Sequence, residues 1–201
     1  MSRSGEVLIN PVTGERAVVR VGTEEGGDPE HMVVDLYVEP GGAVAGEHVH
    51  SEMHERFQVL SGRVGFRVAG AEQVAGPGEG ADVPAGTPHD WWNAGEEVAH
   101  VEVEVRGATI APFEDLLITL FGLAHEGKTN AKGLPGVLQL AVIAREYRDV
   151  FRLTKPPAFV QSALFGPLAA IGRARGLRAS YPQHRALVIT EPAPEERTPA
   201  G

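Results

Sequence analysis

Apolar residues recur with two different periods along the chain, and the change falls near residue 111. In residues 32–38, Met32, Val34, Leu36 and Val38 occupy every second position, which is typical of a half-buried strand. Further short strands are predicted at 7–9, 16–21, around 48, and at 57–60, 64–68, 81–83, 89–93 and 98–105. Turns that contain Gly or Pro separate them. Many short strands of this kind predict a β-sandwich, jelly roll or barrel.

The period becomes helical after Ala111-Pro112. Apolar residues then follow a helical spacing, at Phe113, Leu116, Leu117, Leu120, Phe121 and Ala124. A second helix is predicted at about 134–153, a third from Pro157 with a kink or break at Gly166-Pro167, and a short strand at 186–189. The chain is therefore divided into a barrel at 1–111, a helical extension at 112–190 and a flexible Pro/Glu-rich tail at 191–201.

Composition excludes several classes of protein. The absence of cysteine excludes disulfides and thiolate metal sites and fits a cytoplasmic protein. Residues 1–6 lack an apolar core of the signal-peptide kind, and the most apolar late stretch, residues 158–171, is too short to span a bilayer. A net charge of −9 argues against a nucleic-acid partner.

Charge is unevenly distributed between the two halves. Residues 1–112 carry 7 Lys/Arg and 19 Asp/Glu, whereas residues 113–201 carry 11 Lys/Arg and 8 Asp/Glu. Two interpretations are open: the halves have differently solvated surfaces, or the extension docks on the acidic barrel, within one chain or across a dimer.

Three histidines and one glutamate form the candidate metal site. His48 and His50 point to the same face of a strand because they are two residues apart. Glu55 and His89 would join them from neighbouring strands. Imidazoles with one carboxylate suit a divalent first-row metal.

The spacing of these residues resembles the two conserved motifs of the cupin superfamily. The first motif is Gly42-x5-His48-x-His50-x4-Glu55-x6-Gly62, and the second is Gly78-x5-Pro84-x-Gly86-x2-His89-x3-Asn93. The resemblance covers residues 32–106 and is closest to small bacterial cupins. It implies a jelly-roll β-barrel in which His48, His50, Glu55 and His89 bind one metal. Fe, Mn, Ni, Cu, Co and Zn all suit such a shell.

Side chains that share a strand face with the ligands are candidates for substrate contact. Phe57 and Val59 share a face with Glu55, and Trp91 shares one with His89. An inward aromatic such as Trp91 is more often a core residue than a substrate wall. Tyr37 is either a hydroxyl in the cavity or an aromatic on the outer face.

The resemblance leaves the activity open among several classes. The preferred expectation is a dioxygenase-like oxidoreductase acting on a small organic chelator, with Glu55 as a base. The alternatives are a metal-assisted isomerase or epimerase and a non-catalytic small-molecule-binding sensor. A homodimer is expected because cupins commonly dimerise. The first helix is expected to cover an outer sheet face or a dimer seam, and the alternative is a lid over the barrel mouth.

Overall fold

Strands occupy the first half of the chain and helices most of the second, as the two hydrophobic periods predict. The structure is a computed structural model that describes residues 2–24, 28–44 and 46–191. The strands are β1 Glu6–Asn10, β2 Glu15–Val21, β3 His31–Val38, β4 His48–Val49, β5 Met53–Ser61, β6 Val64–Val68, β7 Ala71–Ala75, β8 Gly80–Val83, β9 His89–Asn93, β10 Ala99–Gly107, β11 Arg152–Leu153 and β12 Ile189–Thr190. The helices are α1 Ile110–His125, α2 Val137–Glu146 and α3 Ala158–Ala174, with a 3-10 helix at Pro182–Leu187.

Two antiparallel sheets share one hydrophobic core. The wider sheet has the order β12-β1-β2-β3-β10-β5-β8, and the narrower sheet has the order β11-β4-β9-β6-β7. Phe57 of the wider sheet contacts Phe66 of the narrower one, with ring centroids 5.4 Å apart. Val59 and Val101 are almost fully buried in the same core. This arrangement confirms a mainly β, jelly-roll fold followed by a helical extension.

Helix α1 covers the part of the wider sheet that the narrower sheet leaves open. Leu116 and Leu123 of α1 belong to the same buried cluster as Met32 and Val103, which lie on the inner sheet face. α1 therefore packs on the inner face of the wider sheet and not on its outer face, and a part for the helix in a dimer seam stays a prediction. The apolar stripe instead completes the interior of the barrel, which agrees with the alternative interpretation of the helix as a cover.

Other parts of the extension attach to the barrel through backbone pairing and opposite charges. β11 pairs with β4, and β12 pairs with β1. Arg185 contacts both carboxylate oxygens of Glu6 at 2.7 Å, and Arg16 pairs with Glu191. Within one chain, ion pairs of both polarities therefore connect the barrel with the residues that follow it.

Several element boundaries differ from the sequence prediction. α2 ends at Glu146 rather than near Leu153, because the chain turns there and enters β11 beside β4. α3 continues through Pro167, although proline has no N–H to donate to the carbonyl of Ala163. Ala163 and Pro167 are both exposed, so water can reach this carbonyl. β7 and β11 were missed, and the 3-10 helix replaces most of the expected last strand. The proposed tail from residue 192 onward lies outside the described residues.

The helices also bear on membrane insertion. Within the described ranges, none is both long and apolar enough to cross a bilayer.

The burial of α1 generates a stability prediction. Leu123 is fully buried, whereas Leu164 on α3 is 50% exposed. Leu123→Ala should lower the free energy of unfolding by about 2–5 kcal/mol, because it removes apolar contacts and leaves a cavity. Leu164→Ala should change it by less than about 0.5 kcal/mol. Urea denaturation of both variants measures this difference, and equal effects would contradict the docking of α1 on the barrel interior.

Candidate metal centre

Four ionisable side chains converge in the interior from both sheets. β4 and β9 pair so that His48 lies directly opposite His89, and His50 follows β4 immediately. Glu55 reaches the same point from β5 in the wider sheet. All four are buried, and one potential ligand atom from each lies within 4.8 Å of the others. The structure therefore brings together the four residues that the sequence predicts as ligands; they are called the ligand cluster below.

Distances within the ligand cluster suit a single ion. Glu55 Oε2 lies 2.8 Å from His89 Nε2 and 3.6 Å from His50 Nε2. The ring centroids of His48 and His89 are 4.2 Å apart, and those of His48 and His50 are 4.8 Å apart. Three imidazoles and a carboxylate at such separations provide the nitrogen and oxygen donors that divalent first-row metals bind.

Backbone carbonyls orient all three imidazoles. The Nδ1 atoms of His48, His50 and His89 lie 3.0, 2.7 and 2.9 Å from the carbonyl oxygens of Gly46, Val150 and Thr87, respectively. In each case Nδ1–H can donate to the carbonyl, which leaves Nε2 as the free acceptor. Metal-binding histidines are commonly held in this way.

Buried polar atoms without hydrogen bond partners also indicate a site for a cation. Glu55 Oε2 and His89 Nε2 are buried, and neither has a hydrogen bond partner of acceptable geometry among the described residues despite their closeness. Buried polar atoms without partners are rare and call for an explanation. A cation between them would satisfy both, so the donor set fits a bound metal.

Electrostatics in the ligand cluster also favour a cation. Burial lowers the pKa of His48 to about 3, and the neighbouring imidazoles add to the effect. Burial alone would raise the pKa of Glu55, but the surrounding histidines outweigh it and lower that pKa to about 2. Burial likewise opposes protonation of His89, but the attraction of the Glu55 carboxylate, 2.8 Å away, raises its pKa. Glu55 is therefore ionised and His48 neutral at neutral pH, the forms that metal binding requires.

The helical extension completes the surroundings of the ligand cluster. Besides the Val150 carbonyl, Phe151 packs on His48 with ring centroids 4.8 Å apart, and Phe113 of α1 meets His50 edge-on at 5.3 Å. Phe113 belongs to the predicted apolar stripe, so its burial was foreseeable. No sequence signal identifies Val150, because any residue carries a backbone carbonyl.

An apolar cavity of about 180 Å³ extends from the ligand cluster beneath α1; it is called the barrel cavity. Its walls include Ala17, Val19, Met32, Val34, Leu36, Val103 and Val105 from the wider sheet and Leu116, Leu117, Leu120 and Phe121 from α1. Polar and charged side chains, among them Glu6, Glu15, Lys132 and Arg185, also line it.

The predicted substrate-contact residues do not all reach this cavity. Phe57 and Trp91 line it. Val59 is fully buried in the core two residues beyond Phe57. Tyr37 lies on the opposite face of β3 from Leu36 and stacks on His100 with ring centroids 4.3 Å apart. The outer-face interpretation therefore describes Tyr37, and its proposed contact with substrate in the cavity is corrected.

Comparison with known proteins identifies relatives of the barrel. Residues 34–105 match the family described as Cupin domain. No curated protein gives a significant match. Three similar solved structures are a sugar phosphate isomerase from a cupin superfamily of Silicibacter pomeroyi, the Cupin_2 domain of an XRE family transcriptional regulator from Enterobacter cloacae, and the TT1209 protein of Thermus thermophilus.

These structural similarities are limited in extent. The isomerase is 24% identical over 48% of this chain and 62% of its own, so the aligned part spans less than two thirds of its length, with a TM-score of 0.43. The regulator domain is 17% identical over 47% of this chain and 97% of its own, with a TM-score of 0.41. The Thermus protein is 30% identical over 38% of this chain and 72% of its own, with a TM-score of 0.37.

The opposite pKa shifts in the ligand cluster can be measured by NMR titration of the metal-free protein. His89 should titrate above its ordinary value of about 6.5, because Glu55 stabilises its charged form. His48 should stay neutral between about pH 5 and 8, because burial destabilises its charged form. Replacing the partner charge by Glu55→Gln should lower the pKa of His89. A His48 that titrates near 6.5 would contradict this geometry.

Proposed function

This chain belongs to the cupin superfamily through residues 34–105, and on that basis we propose that it binds one divalent transition metal and acts as an oxidoreductase on a small apolar molecule. The ligand cluster would hold the metal. The observation that carries the proposal is the position of His48, His50 and Glu55 of the ligand cluster at the wall of a largely apolar cavity. Such a cavity accepts the apolar body of a substrate, and the metal would anchor its polar end.

The metal would supply Lewis acidity and, if redox-active, would carry electrons from the substrate, which is oxidised, to dioxygen, which is reduced. Four protein ligands leave open positions on an octahedral ion, so a chelating substrate has a place to bind. The identity of the metal among Fe, Mn, Ni, Cu, Co and Zn is not determined by the donor set.

Residues around the ligand cluster have separate tasks in this proposal. Phe113 and Phe151 cover the imidazoles and keep water from them. Phe57 and Trp91 form the wall against which the substrate lies. Glu55 is ionised, and its carboxylate would act as a base toward a substrate hydroxyl when it loosens from the metal.

The apolar surroundings favour an oxidoreductase over an isomerase of sugar phosphates. Phosphate recognition uses Arg, Lys or clustered N–H donors. Lys132 and Arg185 line the barrel cavity, but the described side chains of the extension that contact the imidazole rings are Phe113 and Phe151. A small chelator with an aromatic or alkyl body, such as a diketone or an aromatic hydroxy compound, fits these surroundings.

Assembly and location stay predictions. A cytoplasmic homodimer is expected from the resemblance and the lack of cysteine, and small molecules rather than nucleic acids are the expected partners.

Oxygen uptake with different metals tests the proposed activity. The metal-free protein would be loaded separately with Fe(II), Mn(II), Ni(II), Cu(II), Co(II) and Zn(II) and presented with diketones and aromatic diols. We expect uptake with a redox-active metal and none with zinc. Glu55→Gln should reduce the rate by about 100-fold or more if it transfers a proton. Glu52→Gln, which removes an exposed carboxylate three residues away, is the matched control.

Other outcomes identify the alternatives. Conversion of a substrate by the zinc form without oxygen consumption would replace the proposal by an isomerase. Tight binding of such compounds without turnover on any metal would replace it by a sensor.

A further inference from the structure

A second cavity, of about 430 Å³, lies among α1, α2, α3 and β11; it is called the helix cavity. Its apolar walls include Leu116, Leu120, Leu140, Ile143, Phe151 and Phe165. Leu116, Leu120 and Phe151 also line the barrel cavity, so they form the wall between the two spaces. Protein interiors are otherwise close-packed, and ligand pockets commonly have volumes of this order. The helix cavity is therefore a candidate binding site distinct from the ligand cluster.

Three arginines border the helix cavity. They are Arg145, Arg148 and Arg152, and Asp149 is the one acidic residue among the described residues that line it. Arg148 and Asp149 form an exposed pair at 3.5 Å. Within the described part of the chain, Arg145 and Arg152 have no carboxylate within ion-pair distance. The border therefore carries cationic charge that the described residues do not neutralise.

Arg145 is placed to act at the opening between two helices. It belongs to the last turn of α2, and its Nη1 would lie 3.5 Å from a Cβ added at Gly166 of α3. The guanidinium therefore reaches from one helix to the next across the border of the cavity. A guanidinium binds a carboxylate through two parallel hydrogen bonds, which makes such a position suitable for an anionic group.

We propose that the helix cavity binds a monocarboxylate with an apolar body. The carboxylate lies between Arg145 and Arg152, and the apolar body enters the space bounded by Leu140, Ile143 and Phe165. Apolar burial supplies the driving force and the two arginines select the anion. This inference does not depend on the metal or on the proposed oxidoreductase activity.

Calorimetric titration of the full chain with decanoate tests the proposal. We expect one site per chain. Arg145→Gln combined with Arg152→Gln should weaken binding roughly tenfold or more, because charged hydrogen bonds are lost. Arg173→Gln combined with Arg175→Gln removes the same charge from α3 and the residue after it, and should leave the affinity unchanged. Ser162→Trp introduces a large ring at an exposed position of the lining and should block binding.

The control ligands and variants separate the proposal from its rivals. Decanol should bind at least about tenfold more weakly than decanoate, because it lacks the charge. Equal weakening by the two double variants, or equal affinity for decanol and decanoate, would overturn the proposal. Much tighter binding of decyl phosphate would overturn the choice of carboxylate. Binding abolished by His50→Ala but unaffected by Ser162→Trp would place the ligand at the metal centre instead.

Discussion

Burial of four ionisable groups at one point is the constraint on which the rest of the structure depends. Burial of a charged group in an apolar interior costs free energy unless an opposite charge or hydrogen bonds compensate it. Here Glu55 from the wider sheet meets His48, His50 and His89 from the narrower sheet or its flank, so the same contacts that relieve this cost also connect the two sheets. The orphaned Glu55 Oε2 and His89 Nε2 show that the side chains alone leave the compensation incomplete.

The helical extension takes part in this constraint as well. Its Val150 carbonyl accepts the hydrogen bond of His50, and β11 extends the sheet beside the strand that carries His48. Phe113 and Phe151 then close the interior above the imidazoles. The ligand cluster is therefore built by the barrel and the extension together, although all four ligands lie in the barrel. The same two aromatic side chains give the substrate space of the proposed oxidoreductase its apolar character.

The sequence predicts the fold class and the four ligands because both follow from local patterns. Alternation identifies β3, and the spacing of the histidines is visible without tertiary information. The end of α2 was predicted poorly: Phe151 and Leu153 continue a helical apolar pattern, yet Phe151 packs on His48 and Leu153 pairs with β4. The orientation of Tyr37 was left open because alternation divides a strand into two faces without showing which of them points inward. The role of Val150 depends on a backbone atom and could not be predicted.

Metal content of the purified protein, without a histidine tag, tests the central claim most directly. Elemental analysis after reconstitution and dialysis should find about one divalent ion per chain, as the single ligand cluster predicts. His50→Ala should weaken metal binding by at least about tenfold, since even loss of a supporting group has that effect. His54→Ala, which removes a neighbouring half-exposed histidine paired with Asp82, should retain the wild-type content. Equal metal content in all three proteins, or none in any, would contradict the account.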